Sequence, residues 1–252
     1  MTSLIGGHIS VLPSTPWATA LGLNEPLAVT LLDLAQTADI IPTPQLGEIL
    51  GVAELERYHG FRYPKRRQEW LGGRLAAKAA VTQLLTASGT EPPAPAALVI
   101  AADRSGKPLL ALPGLGLSVH LSITHSHGRA AALAGHHPCG IDLQYATPTV
   151  VRVRERFATT EEERILAAAL GRRVEILRLT LLWAAKEAIR KMAPIRPLPA
   201  FHDTVLSAVQ PAGAEYLFLF SAPKICHNAP LRVVAAMRDD YALAVSVLPP
   251  TD

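Results

Sequence analysis

The sequence predicts an α+β fold, because two kinds of periodicity succeed each other along the chain. Apolar residues recur at helical spacing over 46–58 and 64–85, whereas the residues between 98 and 143 alternate with a period of two. The same change of period recurs later, where helical patterns over 160–170 and 173–192 give way to strand-like runs. The chain therefore contains two successive regions of helix and strand.

The first region begins with residues 1 to about 25, which are rich in Gly, Pro and Ser and predict an irregular arm. A strand over 28–34 and the helices over 46–58 and 64–85 follow. Alternating runs then predict short strands over 98–101, 109–112, 117–123, 130–134 and 140–143.

The second helical region begins at a capping box, because Thr160 and Glu163 have the spacing that starts a helix, here through residue 170. The longer helix over 173–192 ends before a proline-rich stretch. Strands over 216–220, 231–238 and 241–248 complete the chain. Residues 74–81 resemble 182–189, which indicates either a duplicated α+β unit or a chance match between common helix formers.

Composition excludes disorder, because 49% of the 252 residues are hydrophobic and only 18% are charged. The net charge of +3 is clustered at 62–67 and again at the arginines of 152–156, which suits an anionic ligand or an acidic protein partner. The two cysteines show no metal spacing, and no apolar run is long enough for a signal peptide or a membrane span. We therefore expect a cytoplasmic protein.

The helix over 173–192 carries an unusual mixture of charges. One acid and three bases share a face with a tryptophan, and these residues are Trp183, Lys186, Glu187, Arg190 and Lys191. Together with Asp142 of the preceding strand, Glu187 would supply two carboxylates, and Gln144 shares the strand face of Asp142. Mg²⁺ is usually held by few carboxylates, several waters and substrate phosphates. The alternative is a turn acid and an ordinary solvated helix surface.

Two further groups of residues have side chains suited to binding phosphate. Hydroxyl and imidazole groups end a strand at 121–128, and basic residues at 65–74 stand near a helix N-terminus. Zinc is a competing hypothesis for the histidines around 120–137, although it lacks spaced cysteines or acids. A hydrogen-bonded strand end and a solvated basic surface remain the alternatives.

Taken in order, five motifs resemble the 4′-phosphopantetheinyl transferases, in particular the longer single-chain type related to surfactin and siderophore synthetase activators. They lie within residues 57–192, and the last is the most specific. The motifs are Arg67-x-x-Trp70-x-Gly72-Gly73-Arg74, Gly106-Lys107-Pro108, Ser122-Ile123-Thr124-His125-Ser126, Gly140-Ile141-Asp142 and Trp183-x-x-Lys186-Glu187-Ala188-x-x-Lys191.

The resemblance implies a monomeric pseudo-dimer of two similar α+β halves, 1–137 (with the irregular arm) and 138–252, with the active site in the cleft between them. It implies transfer of 4′-phosphopantetheine from coenzyme A to a serine of an apo acyl or peptidyl carrier protein, which makes the chain a holo-[acyl-carrier-protein] synthase. Adenosine 3′,5′-bisphosphate would be released, and Mg²⁺ would be the cofactor.

By resemblance, Asp142 and Glu187 would ligate Mg²⁺, and Glu187 would also assist deprotonation of the serine. Lys186 and Lys191 would contact the phosphates, with Lys186 stabilising the leaving group. The remaining contacts to coenzyme A would come from Arg67, Arg74, Lys107, Pro108, Thr124 and His125.

One departure from the family pattern concerns the metal, because Gln144 stands where many members have a third acid. An amide oxygen still binds Mg²⁺, although with less negative charge. A non-catalytic coenzyme A or carrier-protein binding module with a decayed metal site is therefore the alternative. A nucleic-acid-binding protein is disfavoured, since the basic residues lack aromatic interleaving and no zinc-finger or RNA-recognition signature is present.

Overall fold

The computed structural model describes residues 9–37, 43–111, 118–171 and 173–248, which divide into two compact units. The first unit contains Glu25–His136 and the described residues before Thr15. The second contains Thr15–Asn24 and the residues from His137 onward. The predicted domain boundaries, and the placement of the two halves as a pseudo-dimer, stay predictions.

The strands and helices are numbered in chain order. In the first part of the chain they are β1 (Ile9–Leu12), α1 (Thr15–Leu21), β2 (Leu27–Asp33), α2 (Thr43–Ile49), α3 (Val52–His59), α4 (Pro64–Ala87), β3 (Val99–Ala102), β4 (Pro108–Ala111), β5 (His120–Ser126) and β6 (Arg129–Gly135). In the second part they are β7 (Cys139–Tyr145), α5 (Thr149–Arg152), α6 (Thr160–Leu170), α7 (Glu175–Met192), β8 (Val205–Ala212), β9 (Glu215–Ala222), β10 (Cys226–Arg238) and β11 (Tyr241–Val247).

The first unit packs one long helix against an antiparallel sheet. The strand order is β1-β2-β6-β5, and α4 contacts β2, β6 and β5. The buried face of α4 is rich in alanine, including Ala76, Ala77 and Ala80, so the helix approaches the sheet closely. Strands β3 and β4 form a separate hairpin.

The second unit repeats this design with a larger sheet. Its order is β7-β11-β10-β9-β8, all antiparallel, and α7 packs across β7, β11 and β10. The core between them is apolar and fully buried, with Leu182, Ala185 and Ile189 of α7 against Val233 and Ala244 of the sheet. The mixed content of helix and sheet confirms the predicted α+β class.

Two local predictions need correction. The helix predicted over 46–58 is two helices, because the chain is extended at Gly51, where a Cβ would lie 3.0 Å from the carbonyl oxygen of Ala96. The capping box lies one residue earlier than predicted. The Thr159 hydroxyl accepts from the backbone N–H of Glu162, and the Glu162 carboxylate accepts from that of Thr159.

The N-terminal arm and the strand inventory also differ from expectation. Residues 15–21 form α1 because Trp17 and Leu21 bury their side chains in the second unit. Strand β8 was not predicted, since its exposed and buried positions alternate weakly at the edge of the sheet. Residues 1–8 of the arm, and the predicted strand ends at Leu112 and Leu117, lie outside the described residues.

Candidate active site

The site in the second unit begins with a glycine that lets a helix lie directly on a strand. A Cβ at Gly140 of β7 would lie 1.9 Å from the carbonyl oxygen of Ala188 and 2.6 Å from the backbone nitrogen of Met192, both in α7. Only a residue without a side chain permits this approach. Because alternate strand residues share a face, Asp142 lies on the same side of β7 as Gly140, toward α7.

Two acids meet at this contact, and each is paired with a cation from α7. The Lys191 ammonium donates to Asp142 Oδ1 at 2.7 Å and to the carbonyl oxygen of Ile141 at 3.0 Å. The Arg190 guanidinium donates to Glu187 Oε1 at 2.7 Å. The two carboxylates and two cations therefore form one cluster, which we call the acid cluster: Asp142, Glu187, Arg190 and Lys191.

Electrostatics within the acid cluster favour an additional cation. Burial raises the pKa of the Glu187 carboxyl above its usual value, and the neighbouring charge of Asp142 raises it further. Arg190 and Lys191 act in the opposite direction. Since each acid disfavours the charge of the other, a multivalent cation that binds both carboxylates would relieve their repulsion.

The donor set fits Mg²⁺ better than zinc. In the part of the chain that the structure describes, no three His, Cys, Asp or Glu side chains come together as a metal site. Asp142 and Glu187 are two hard oxygen donors, which suffices for an ion that keeps several waters and binds substrate phosphates. Gln144 lies further along the same face of β7, and its amide nitrogen donates to the carbonyl oxygen of Tyr145 at 3.2 Å. A metal contact from Gln144 stays a prediction.

Lys186 lies in the interior of the second unit. Its side chain is 0% exposed, and its ammonium donates to Glu162 Oε1 at 2.7 Å. The carbonyl oxygens of Phe157, at 2.7 Å, and Phe201, at 3.1 Å, accept the other hydrogen bonds. With three acceptors inside the protein, this ammonium stabilises the fold, and its roles in contacting the phosphates and stabilising the leaving group stay predictions.

Arg74 of the first unit is likewise held in the interior, and its predicted contact with coenzyme A stays a prediction. Its guanidinium stacks on Trp70 at 4.9 Å and lies 3.6 Å from Glu54, and its side chain is only 12% exposed. Burial lowers the pKa of Arg74, and Glu54 opposes this shift. Its Nε is buried and has no hydrogen-bond partner among the described residues.

The other residues predicted to bind coenzyme A also lie in the first unit, but their geometry does not test that role. Arg67 lies over the ring of Tyr58 at 5.7 Å. Lys107 and Pro108 stand at the turn into β4, while Thr124 is buried and His125 is exposed in β5. These contacts stay predictions.

Sequence reasoning missed two features of the acid cluster. Arg190 had no assigned role, although its position three residues after Glu187 is the spacing at which helix side chains pair. The close approach at Gly140 was not foreseen either, since it depends on which helix crosses the strand. For Lys186, the repeat of Ala-Ala-Lys at 76–78 was an available signal of a structural role.

Comparison with known proteins places the second unit in a described family. Residues 138–246 match the model of the 4′-phosphopantetheinyl transferase superfamily. The holo-[acyl-carrier-protein] synthases of Lactococcus lactis subsp. lactis (strain IL1403) and of L. lactis subsp. cremoris (strain SK11) are each 35% identical over 85 residues. Those residues are 34% of this chain and 71% of each relative.

Solved structures with partial similarity are synthases of the same kind. The crystal structure of a holo-(acyl-carrier-protein) synthase from Bacillus anthracis str. Ames, in complex with CoA (3′,5′-ADP), is 26% identical with a TM-score of 0.38. The match covers 43% of this chain and 91% of that one. The Thermotoga maritima holo-[acyl-carrier-protein] synthase is 23% identical with a TM-score of 0.36, over 52% of this chain and 74% of its own. No described helix is both long and apolar enough to cross a membrane.

Proposed function

The chain belongs to the 4′-phosphopantetheinyl transferase superfamily, and on that premise we propose that it transfers the 4′-phosphopantetheine group of coenzyme A to a serine of an apo carrier protein. The serine oxygen forms a bond to the β-phosphorus, the bridging pyrophosphate bond breaks, and adenosine 3′,5′-bisphosphate leaves. The serine proton passes to a base. The observation that carries this proposal is the acid cluster, which lies within the residues matched by the family model.

Glu187 is the residue that we propose as the base that accepts the serine proton. Arg190 occupies its Oε1, so Oε2 is the oxygen that would accept the serine proton, directly or through a water. Burial raises the pKa of Glu187, which makes it a stronger base than an ordinary exposed carboxylate.

Lys191 is the residue that we propose as the cation that binds the phosphates of coenzyme A. Its ammonium stands beside Asp142 and remains 30% exposed, unlike the enclosed Lys186. Phosphoryl transfer depends mainly on positioning and on neutralising charge on the phosphoryl oxygens, and a half-exposed lysine supplies both.

Mg²⁺ is the metal that we propose for Asp142 and Glu187, and when bound it would neutralise the pyrophosphate charge. Arg67, Lys107, Pro108, Thr124 and His125 remain our candidates for the 3′-phosphate and adenine end of coenzyme A. Carrier proteins of this type are usually acidic, so the net positive charge would favour their approach.

The test is a mass measurement on the carrier. The protein is incubated with an apo carrier protein, coenzyme A and Mg²⁺, and we expect the carrier to gain one phosphopantetheine. Chelation of the metal should stop the gain. Glu187→Gln should slow it by about a hundredfold or more, whereas Glu175→Gln, at an exposed acid on the same helix, should leave it unchanged.

The rival hypothesis, a binding module with a decayed metal site, makes the opposite prediction. If coenzyme A binds but no apo carrier gains mass at any metal concentration, the transferase is excluded and the binding module is favoured.

A further inference from the structure

Arg190 joins the acid cluster to the chain segment that follows α7. Its Nη1 donates to Glu187 Oε1 at 2.7 Å, while its Nε donates to the carbonyl oxygen of Pro199 at 3.0 Å. The guanidinium also lies over the ring of Phe201, 4.6 Å from its centroid. One side chain therefore contacts both the acid and residues 199–201 through separate atoms.

The far end of this connection is itself held firmly. The carbonyl oxygen of Phe201 accepts from the buried Lys186 ammonium at 3.1 Å. Its ring packs against Trp183 at 4.9 Å and Phe157 at 6.3 Å. Arg190 is therefore braced against a rigid neighbour, which limits the rotamers open to it and to the acid that it binds.

The contact with Arg190 defines the orientation of the Glu187 carboxylate. It is the only hydrogen bond to the Glu187 carboxylate from the described residues. One carboxylate oxygen is thus occupied by Arg190, while the charges of Asp142 and Lys191 act on the same carboxyl group. A planar guanidinium can donate to Glu187 and to the carbonyl oxygen of Pro199 at the same time, through two different nitrogens. A lysine ammonium has a single nitrogen and cannot reproduce this geometry.

We propose that Arg190 is a positioning residue for the transfer reaction: by bridging Glu187 and Pro199 it holds the Glu187 carboxylate in one orientation, at the cost of weaker binding of a bare cation. The inference rests on the proposed function and assigns a role to a side chain that the family motif leaves unspecified. Two effects follow from it with opposite signs. Loss of Arg190 removes a positive charge from beside the cation site, and it also releases Glu187 from its fixed geometry.

The test compares Arg190→Met with a matched control on the same helix. Arg178 donates to the carbonyl oxygens of Gly171 and Arg173 and, among the described residues, forms no hydrogen bond or ion pair with the acid cluster. Arg178→Met therefore removes an arginine of equal size and charge from α7. Binding of Mn²⁺ to the protein without coenzyme A is measured by the electron paramagnetic resonance of free Mn²⁺. The kcat and the KM for coenzyme A are measured with an apo carrier, and the Tm of each variant is recorded.

For Arg190→Met we expect Mn²⁺ to bind about fivefold more tightly, while kcat falls about tenfold or more and the KM for coenzyme A changes less than about twofold. Arg190→Lys retains the charge but not the bridge, so it should keep the Mn²⁺ affinity and still lose kcat. In a Glu187→Gln background, Arg190→Met should lower kcat little further, because the carboxylate that Arg190 orients is already absent.

The proposal is overturned if Arg190→Met matches Arg178→Met in both Mn²⁺ affinity and kcat, or if affinity and kcat fall together with Tm. Either result would mean that Arg190 only supports the fold. Failure of the proposed function is a separate result, since it would show as absence of transfer by the wild-type protein. The Mn²⁺ measurement would then still decide whether the charge of Arg190 weakens cation binding at the acid cluster.

Discussion

The two units of this chain share a structural framework but differ in their chemistry. In the first, β2 pairs with β6 and β6 with β5; in the second, β7 pairs with β11 and β11 with β10, all antiparallel. A long helix, α4 or α7, packs on each of these sheets. The chain therefore repeats one arrangement of a strand, a long helix and a terminal hairpin.

The shared framework includes a buried lysine in each long helix, which follows two alanines in both cases. Lys78 of α4 binds Glu54 at 2.6 Å, and Lys186 of α7 binds Glu162 at 2.7 Å. Each glutamate lies in the first turn of the preceding helix and also accepts a backbone N–H near the next strand, from Ile100 or Leu206.

The two lysines also donate hydrogen bonds to equivalent segments, the short 3-10 helices that follow α4 and α7. Lys78 donates to the carbonyl oxygen of Pro95, and Lys186 to that of Phe201, and both acceptors open a short 3-10 helix after the long one. Burial lowers the pKa of both ammonium groups, and the paired glutamate opposes the shift in each case. The repetition indicates that Lys186 belongs to the framework.

The difference lies in the residues that surround the framework. By sheet register, Thr30 of β2 takes the place of Asp142, and its hydroxyl donates to the carbonyl oxygen of Ala76. One residue after the buried lysine, α4 has Ala79 where α7 has Glu187. The first unit therefore has the framework without the acids to which we assign the chemistry.

The largest effect that this comparison predicts is on stability. Lys186→Met leaves the buried Glu162 carboxylate without its cation, so we expect it to lower the free energy of unfolding by about 3–5 kcal/mol. Lys78→Met should lower it by less, because Arg74 remains 3.6 Å from the Glu54 carboxylate. Denaturant titration measures the loss. The double variant Lys186→Met/Glu162→Gln should recover most of the stability and also the transfer activity of the remaining folded protein. Full stability in Lys186→Met with loss of transfer would instead support a phosphate role for Lys186.

A smaller effect is expected at the contact between strand and helix. Gly140→Ala places a Cβ against the backbone of α7, which should cost about 1–3 kcal/mol. Because α7 must shift relative to Asp142, transfer should fall by about a hundredfold. The first unit has Ala28 at the corresponding register position, and Ala28→Gly should alter stability without altering transfer. Equal activities of Gly140→Ala and the wild type would show that the close approach is not needed.

The smallest effect concerns acid stability near the site. Lys224 and the backbone N–H of Ala200 hold the pKa of Asp203 below its usual value. A lowered pKa stabilises the fold above the unfolded-state pKa, and this contribution is lost as the pH falls through the folded-state pKa, below about pH 4. Ala97 ends the equivalent 3-10 helix of the first unit.

Asp203→Asn should therefore lower Tm slightly at neutral pH, and the difference from wild type should vanish in acid. Lys224→Met should give the same pattern, because it removes the other partner of the bond. Thermal melts between pH 7 and pH 3 measure both. A difference that persists at the acid end would assign the effect to something other than this ion pair.

Most of the second unit could be predicted from local patterns. The helix over 173–192 and the strands at 140–143, 216–220, 231–238 and 241–248 lie within or close to α7, β7, β9, β10 and β11. Strand β8 and helix α1 could not be found in this way, because an edge strand is only partly buried and a short helix depends on tertiary contacts of Trp17.

The sequence by itself determined the α+β class, the superfamily and the pairing of Asp142 with Glu187 as candidate metal ligands, since periodicity and ordered motifs are local properties of the chain. The tertiary structure alone decided which charges are available. Lys186 and Lys191 are both lysines of one motif, yet one is enclosed by Glu162 and backbone carbonyls and the other stands beside Asp142. Burial and ion pairing depend on residues distant in sequence, so no spacing within the motif could separate the enclosed cation from the partly exposed one.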